Sequence, residues 1–232
     1  MLGKVLPAEV THVAALGDPI RRQLYQFVTE QNESVSRDMA AAGVEIARHV
    51  AKFHLDKLEE EGLLETEYRR PSGKKGPGAG RPTKYYRRSS REISVSLPPR
   101  HYDLAARVLA QAITTSQMEA IPIALALEKS ATIFGKLMIQ EVQTQLQAST
   151  NKNNVVVAIS EVLGEHGYEP RKEEERLILA NCPFHSLATE YTELICGINH
   201  DLINALIDAF PRSYRVNLAP APGRCCVTLD EI

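Results

Sequence analysis

Several absences narrow the reading of this chain before any motif is considered. No run approaches the roughly 18 apolar residues that cross a bilayer, and residues 1–10 lack the apolar stretch of a secretion signal. A cytoplasmic protein with no membrane partner is the expectation. Cysteine is missing from the first 181 positions: Cys182, Cys196, Cys225 and Cys226 all fall in the last 51 residues. In a reducing compartment such thiols are free or bind metal rather than forming a disulfide framework. No paired carboxylates or phosphate-cradling loop stand out, and the glycines at 73, 76, 78 and 80 lack the strand-to-helix context of a P-loop. Cys182 and His185 have no orienting acid at recognisable spacing, so the chain is not expected to be an enzyme.

The last absence is the most telling. Between positions 69 and 91 there is no acidic residue but nine basic ones: Arg69, Arg70, Lys74, Lys75, Arg81, Lys84, Arg87, Arg88 and Arg91. The chain holds 27 basic and 29 acidic residues, leaving 18 against 29 elsewhere, a balance of −11. A concentrated positive surface on an otherwise acidic protein points to a phosphate backbone. At 232 residues the chain suits two small domains and a connector: 1–95, 96–150 and 151–232. The expected class is α+β, mostly α.

Asp18-Pro19 is a good helix start, because Asp accepts free N–H groups and Pro fits the first turn. Ile20, Leu24, Phe27 and Val28 then recur at helical spacing. Ser36 with Asp38 opens a shorter helix over 37–42, Gly43 breaks it, and a third helix is expected from about Glu45. On that third helix Ile46, Val50, Phe53, Leu55 and Leu58 are expected to face the core, with His54 packed beside them and Gly62 ending the run. Strands over 63–68 and 84–88, joined by the Gly/Pro-rich 71–82 loop, complete a helix-turn-helix followed by a basic hairpin, or wing. A helix fits the major groove and its outward N-terminal residues meet base edges, which nominates Arg48, His49 and Lys52. Lys74, Lys75, Arg81 and Lys84 of the hairpin are the phosphate-neutralising candidates, and Arg81 between Gly80 and Pro82 has the form of a minor-groove reader.

The strings Leu16-Gly-Asp-Pro-Ile-Arg-Arg22, Phe53-His-Leu-Asp-Lys-Leu-Glu59 and Gly62-Leu-Leu-Glu65 resemble the bacterial ArsR/DeoR-type winged-helix transcriptional regulators. The resemblance covers residues 10–95 and implies binding of a double-stranded DNA operator by a dimer.

Ser96-Leu-Pro-Pro-Arg100 marks a boundary. Tyr102, Leu104, Ala105, Val108, Leu109 and Ile113 trace one helical face, and a second helix is expected over 120–145. Its apolar residues either pack against flanking domains or form a homodimer that presents two winged helices one DNA turn apart. Beyond a polar 148–154 linker, a helix over 155–167, a hairpin, helices over 186–196 and 199–210 and a closing strand pair describe a small α+β sensor domain.

Within that domain lie Cys182-Pro-Phe-His185, Cys196 and His200 four apart, and Cys225-Cys226. Thiolate with imidazole suits zinc or iron, while a cluster prefers thiolates. Buried apolar cysteines or a redox-active vicinal pair are the alternatives. The segments 181–188, 193–199 and 222–229 resemble the sensor domain of SufR-like repressors, which carry an iron–sulfur cluster. That family has four near-regularly spaced cysteines. Here 13 residues separate Cys182 from Cys196 and 28 separate Cys196 from Cys225, so the middle cysteine is missing, with Phe210 about where it would fall. The resemblance implies Cys182, Cys196 and Cys225 as ligands, with His200, His185 or Cys226 as the fourth. The expected protein is a dimeric repressor governed by an iron–sulfur cluster or metal; the alternative is a winged-helix regulator with structural zinc, or no metal, sensing a small molecule.

Overall fold

Capping residues placed ahead of amphipathic runs start two of the first helices, and a computed structural model shows where each run ends. It describes residues 8–70, 82–148, 155–210 and 214–232. Two compact units divide at Val95/Ser96. The class is α+β, mostly helical, with two small antiparallel sheets.

In the first unit, α1 (Ala8–Ala14) and a 3₁₀ turn lead to α2 (Pro19–Glu30), whose N-cap is Asp18, its carboxylate accepting from the Arg21 N–H at 2.9 Å. Strand β1 (Val35–Ser36) runs into α3 (Arg37–Gly43), which Ser36 caps through the Met39 N–H. The third long run, α4 (Arg48–Glu60), starts three residues later than expected. Glu45 adopts a left-handed φ of 56° after Gly43, and Ala47 is extended, so 44–47 form the turn. Gly62, at φ 70°, closes α4 with Leu63 N–H bonded to the Leu58 carbonyl at 2.9 Å, a Schellman-type ending that a side chain at that φ would strain. Strands β2 (Leu64–Arg69) and β3 (Thr83–Arg88) pair with Leu64 opposite Arg88 and Arg69 opposite Thr83, and β1 adds to β3 in the order β1-β3-β2. The core is Leu24, Val28, Val35, Ala51, Leu55, Leu58, Leu64 and Tyr86.

The second unit begins with α5 (Tyr102–Glu119) and α6 (Ile123–Ala148). These helices, expected as a connector, share one continuous core with the 151–232 stretch: Val108, Met138 and Val142 cluster with Leu163, Leu179, Leu202 and Leu229. Helix α7 (Val155–Glu165) precedes the hairpin β4 (Pro170–Glu173) and β5 (Arg176–Leu179). Then come α8 (His185–Glu190), α9 (Thr192–Ile207), β6 (Tyr214–Leu218) and β7 (Val227–Glu231), with sheet order β4-β5-β7-β6. The break between the last two helices falls at Tyr191 rather than near Gly197, so one helix carries both Cys196 and His200. No helix among the described residues is long and apolar enough to cross a membrane.

Helices α6 and α9 approach so closely at Gly135 that a Cβ there would run into the Leu202 carbonyl and reach Ala205 Cβ at 3.0 Å. Elsewhere in a helix interior, Gly→Ala gains roughly 0.5–1 kcal/mol. Gly135→Ala is expected to reverse that sign and lose about 1–3 kcal/mol by forcing the two helices apart. Urea unfolding of the two proteins measures it; an unchanged or raised midpoint would refute the close approach.

Candidate functional site

Helix α4 must bury one side and present the other. Ala51, Leu55 and Leu58 are fully buried and His54 nearly so, one or one and a half turns apart. Arg48, His49, Lys52 and Phe53 are exposed on the opposite side. Phe53, expected in the core, is 65% exposed, because the inward stripe runs through Ala51 and His54 instead. Its ring meets His54 edge-on, centroids 5.1 Å apart. Arg48 stands in the first turn and is held by Asp38 of α3, with Nη2 donating to Oδ2 at 3.2 Å. That pair bridges two helices at the surface and orients the guanidinium without burying it.

The β2–β3 hairpin is fastened to α4 by a compact polar network. Lys84 Nζ donates to Asp56 Oδ1 at 2.9 Å and also to Glu59. Tyr86 OH donates to the same Asp56 oxygen at 2.7 Å, and Thr66 Oγ1 to Glu59 Oε1 at 2.7 Å. Burial disfavours the Lys84 charge, but the bonds to Glu59 and Asp56 outweigh it and raise its pKa. Burial likewise raises Asp56, and the Tyr86 and Lys84 hydrogen bonds more than reverse it. The expectation that Lys84 neutralises a phosphate is corrected here. Its side chain is only 21% exposed and its ammonium is spent on two carboxylates, which makes it a positioning residue. Arg69 and Arg87 pair with Glu67 at 2.6 Å and Glu65 at 3.2 Å, and Arg88 is exposed. Lys74, Lys75 and Arg81 lie outside the described residues.

In the second unit the four cysteines, distant in sequence, are all buried and free. Cys182 lies in the turn before α8, Cys196 on α9, and Cys225 and Cys226 just before β7. The side chains form a chain of contacts: Cys182 with Cys225, Cys225 with Cys226, and Cys226 with Cys196. Cys182 is pushed well above the usual thiol range by Cys225 and by burial. Cys225 is drawn down by Cys182 but raised by Cys226 and burial, for a net value of about 11. Burial raises Cys196, and its contact with Cys226 opposes this only in part. These three thiols are therefore protonated at neutral pH. Asn199, 1% exposed, donates from Nδ2 to Cys225 Sγ at 3.1 Å and accepts from Tyr168 OH at 2.7 Å. Sequence reasoning missed this Tyr168–Asn199–Cys225 relay, since nothing in the spacing marks Asn199 apart from its place between Cys196 and His200.

Of the proposed fourth ligands, Cys226 joins the thiol set. His185 is exposed at the start of α8, and His200 Nδ1 faces Asp201 Oδ1 at 3.1 Å. Four thiols from three segments are donors of the type that soft metals and clusters take. Their placement is not a coordination shell: among the described residues no three of His, Cys, Asp and Glu are arranged to hold an ion.

No family model and no curated protein matches this chain. Among solved structures it is similar to human N-acetylserotonin methyltransferase in complex with SAM, at 16% identity over 65% of this chain, with a TM-score of 0.22. The chain spans about half of that enzyme, 51%. The neighbour is an enzyme, and on that finding the expectation of a protein without catalytic activity is withdrawn. A likeness at this TM-score carries no argument about fold, substrate or cofactor.

The hairpin network yields a direct prediction. Lys84→Met leaves Asp56 and Glu59 facing each other without a cation, and a loss of about 1–2 kcal/mol is expected, scaled down for partial exposure. Glu59→Gln should lessen that loss in a double-mutant cycle measured by urea unfolding. Strict additivity would mean that Lys84 and Glu59 do not act together in fastening the hairpin.

Proposed function

We propose that the protein is a DNA-binding transcriptional regulator, most simply a dimeric repressor, whose first unit is a winged helix-turn-helix and whose second unit is a thiol-based sensor. The observation that carries the reading is the exposed row Arg48, His49 and Lys52 on the N-terminal half of α4, opposite that helix's buried side. The order α2, α3, α4 and a two-stranded hairpin pinned to α4 suits a recognition helix followed by a wing. In the wing, Lys74, Lys75 and Arg81 are the phosphate contacts of this reading, and Lys84 holds the hairpin against α4. A second copy of the chain would cover Ile133 and Leu137, both about half exposed one turn apart on α6.

For the sensor, Cys182, Cys196, Cys225 and Cys226 are the residues that would hold an iron–sulfur cluster, and they would have to move from their described placement to do so. When bound, the cluster supplies redox chemistry and bonds that tie three segments of the fold together. The protein's own contribution is a dry setting, the Asn199 hydrogen bond to Cys225, and Arg100, whose guanidinium bonds the Asn181 side chain and the Cys182 carbonyl at 3.0 Å. Structural zinc on the same thiols is the second reading, favoured by the mixed-segment, four-donor composition.

Binding to a random-sequence duplex tests the first half. Log K is expected to fall linearly with log salt, and Lys74→Ala with Lys75→Ala and Arg81→Ala to flatten the slope by about 0.9 for each phosphate no longer neutralised. Salt-independent binding, or none, would overturn the reading. The second half is tested by iron, acid-labile sulfide and zinc analysis of protein purified without oxygen. Iron with sulfide is expected; zinc alone would select the structural reading, and neither would discard a metal-dependent sensor.

A further inference from the structure

Phe53 is the feature of the first unit that its own packing leaves unused. It sits in the second turn of α4, one turn beyond His49 and next to Lys52, with 65% of its surface in water. Burying a phenylalanine is strongly favourable, and the neighbouring apolar positions of the helix, Ala51 and Leu55, take that gain by turning inward. Phe53 makes one ring contact, edge-on with His54, and forms no part of the buried core of its unit.

The surroundings select the partner. Arg48, His49 and Lys52 flank the ring on the same exposed surface. An apolar protein surface docking there would have to strip water from these groups without return, whereas the major groove supplies phosphates and base acceptors for them. In that groove a phenyl ring, with no hydrogen-bond donor or acceptor, finds one apolar base feature: the C5-methyl of thymine.

We infer that Phe53 is a specificity-determining residue that packs against a thymine methyl in the major groove and so fixes an A·T pair in each half-site. The inference rests on the DNA-binding reading above and adds a base identity to it. Arg48, in the first turn of the same helix, is held by Asp38 of α3.

The test uses duplexes enriched from a random pool by the full chain, then remade with uracil for thymine at each enriched position. Uracil removes the methyl and nothing else. At one position per half-site uracil is expected to weaken wild-type binding about three- to tenfold, the scale of one buried methyl group. Phe53→Ala should bind the thymine and uracil duplexes equally with an unchanged salt slope, and Phe53→Leu should keep part of the preference. Wild type indifferent to uracil at every position, or Phe53→Ala still discriminating, would overturn the inference while salt-dependent DNA binding stood. A Phe53→Ala protein that turns from dimer to monomer, or that unfolds at markedly lower urea, would also overturn it, by placing the ring in an interface or a core. If no duplex is retained at any salt, the DNA-binding reading fails and this inference with it.

Discussion

Lys84 between Asp56 and Glu59 is the contact on which the first unit's exposed surface depends. Two carboxylates one turn apart on α4 repel each other, and neither is comfortable half-buried beneath a hairpin. One ammonium, one phenol and one threonine hydroxyl from the hairpin satisfy them. Because every donor comes from β2 or β3 and every acceptor from α4, the network sets the angle and register of hairpin against helix. A cation, rather than another hydrogen-bond donor, is needed because the acceptors are charged. Much of the basic stretch is thereby accounted for within the fold: Lys84, Arg69 and Arg87 each face a carboxylate. The raw count of nine basic residues overstates the charge left for a partner.

The second unit solves a different problem with the opposite chemistry. Its four thiols lie in the core and pack as small apolar groups among Leu179, Phe184, Ile195 and Leu229. Burial opposes the ionisation of Cys182, Cys196 and Cys225, and Cys225 also accepts from the neutral Asn199 amide backed by Tyr168. A set of thiols brought together from three segments and buried is stable as a core and costly as a set of anions.

How much of this is legible in the sequence depends on whether the signal is local. Capping residues and glycines place α2, α3 and the end of α4 correctly, because Asp18, Ser36 and Gly62 act within a few residues of themselves. The start of α4 lies three residues beyond the expected one, since the left-handed turn at Glu45 has no glycine to announce it. Phe53 reads as core because it is an aromatic at roughly helical spacing; the competing stripe runs through His54 and Ala51, residue types that periodicity weighs lightly. Lys84 reads as a phosphate contact, since its partners Asp56 and Glu59 are more than twenty positions away and only folding brings them together. The convergence of Cys226 with the other thiols is equally hidden. In sequence it is merely the neighbour of Cys225, and the contact that matters is with Cys196 on α9.

The misread positions share a physical origin. Lys84 and Phe53 each break the simplest local rule, an exposed lysine and a buried phenylalanine, and α4 explains both. A helix that packs through Ala51 and His54 comes close to the sheet, and that closeness puts Asp56 and Glu59 within reach of Lys84. The same rotation about the helix axis turns Phe53 outward, since it follows Lys52 by one position and His49 by one turn. Rotating α4 to bury Phe53 would withdraw His54 and Ala51 from the core and carry Asp56, three positions further on, away from Tyr86. The polar network and the exposed ring are thus alternatives to a buried ring and an unsatisfied lysine, and four hydrogen bonds to two carboxylates outweigh one phenyl side chain.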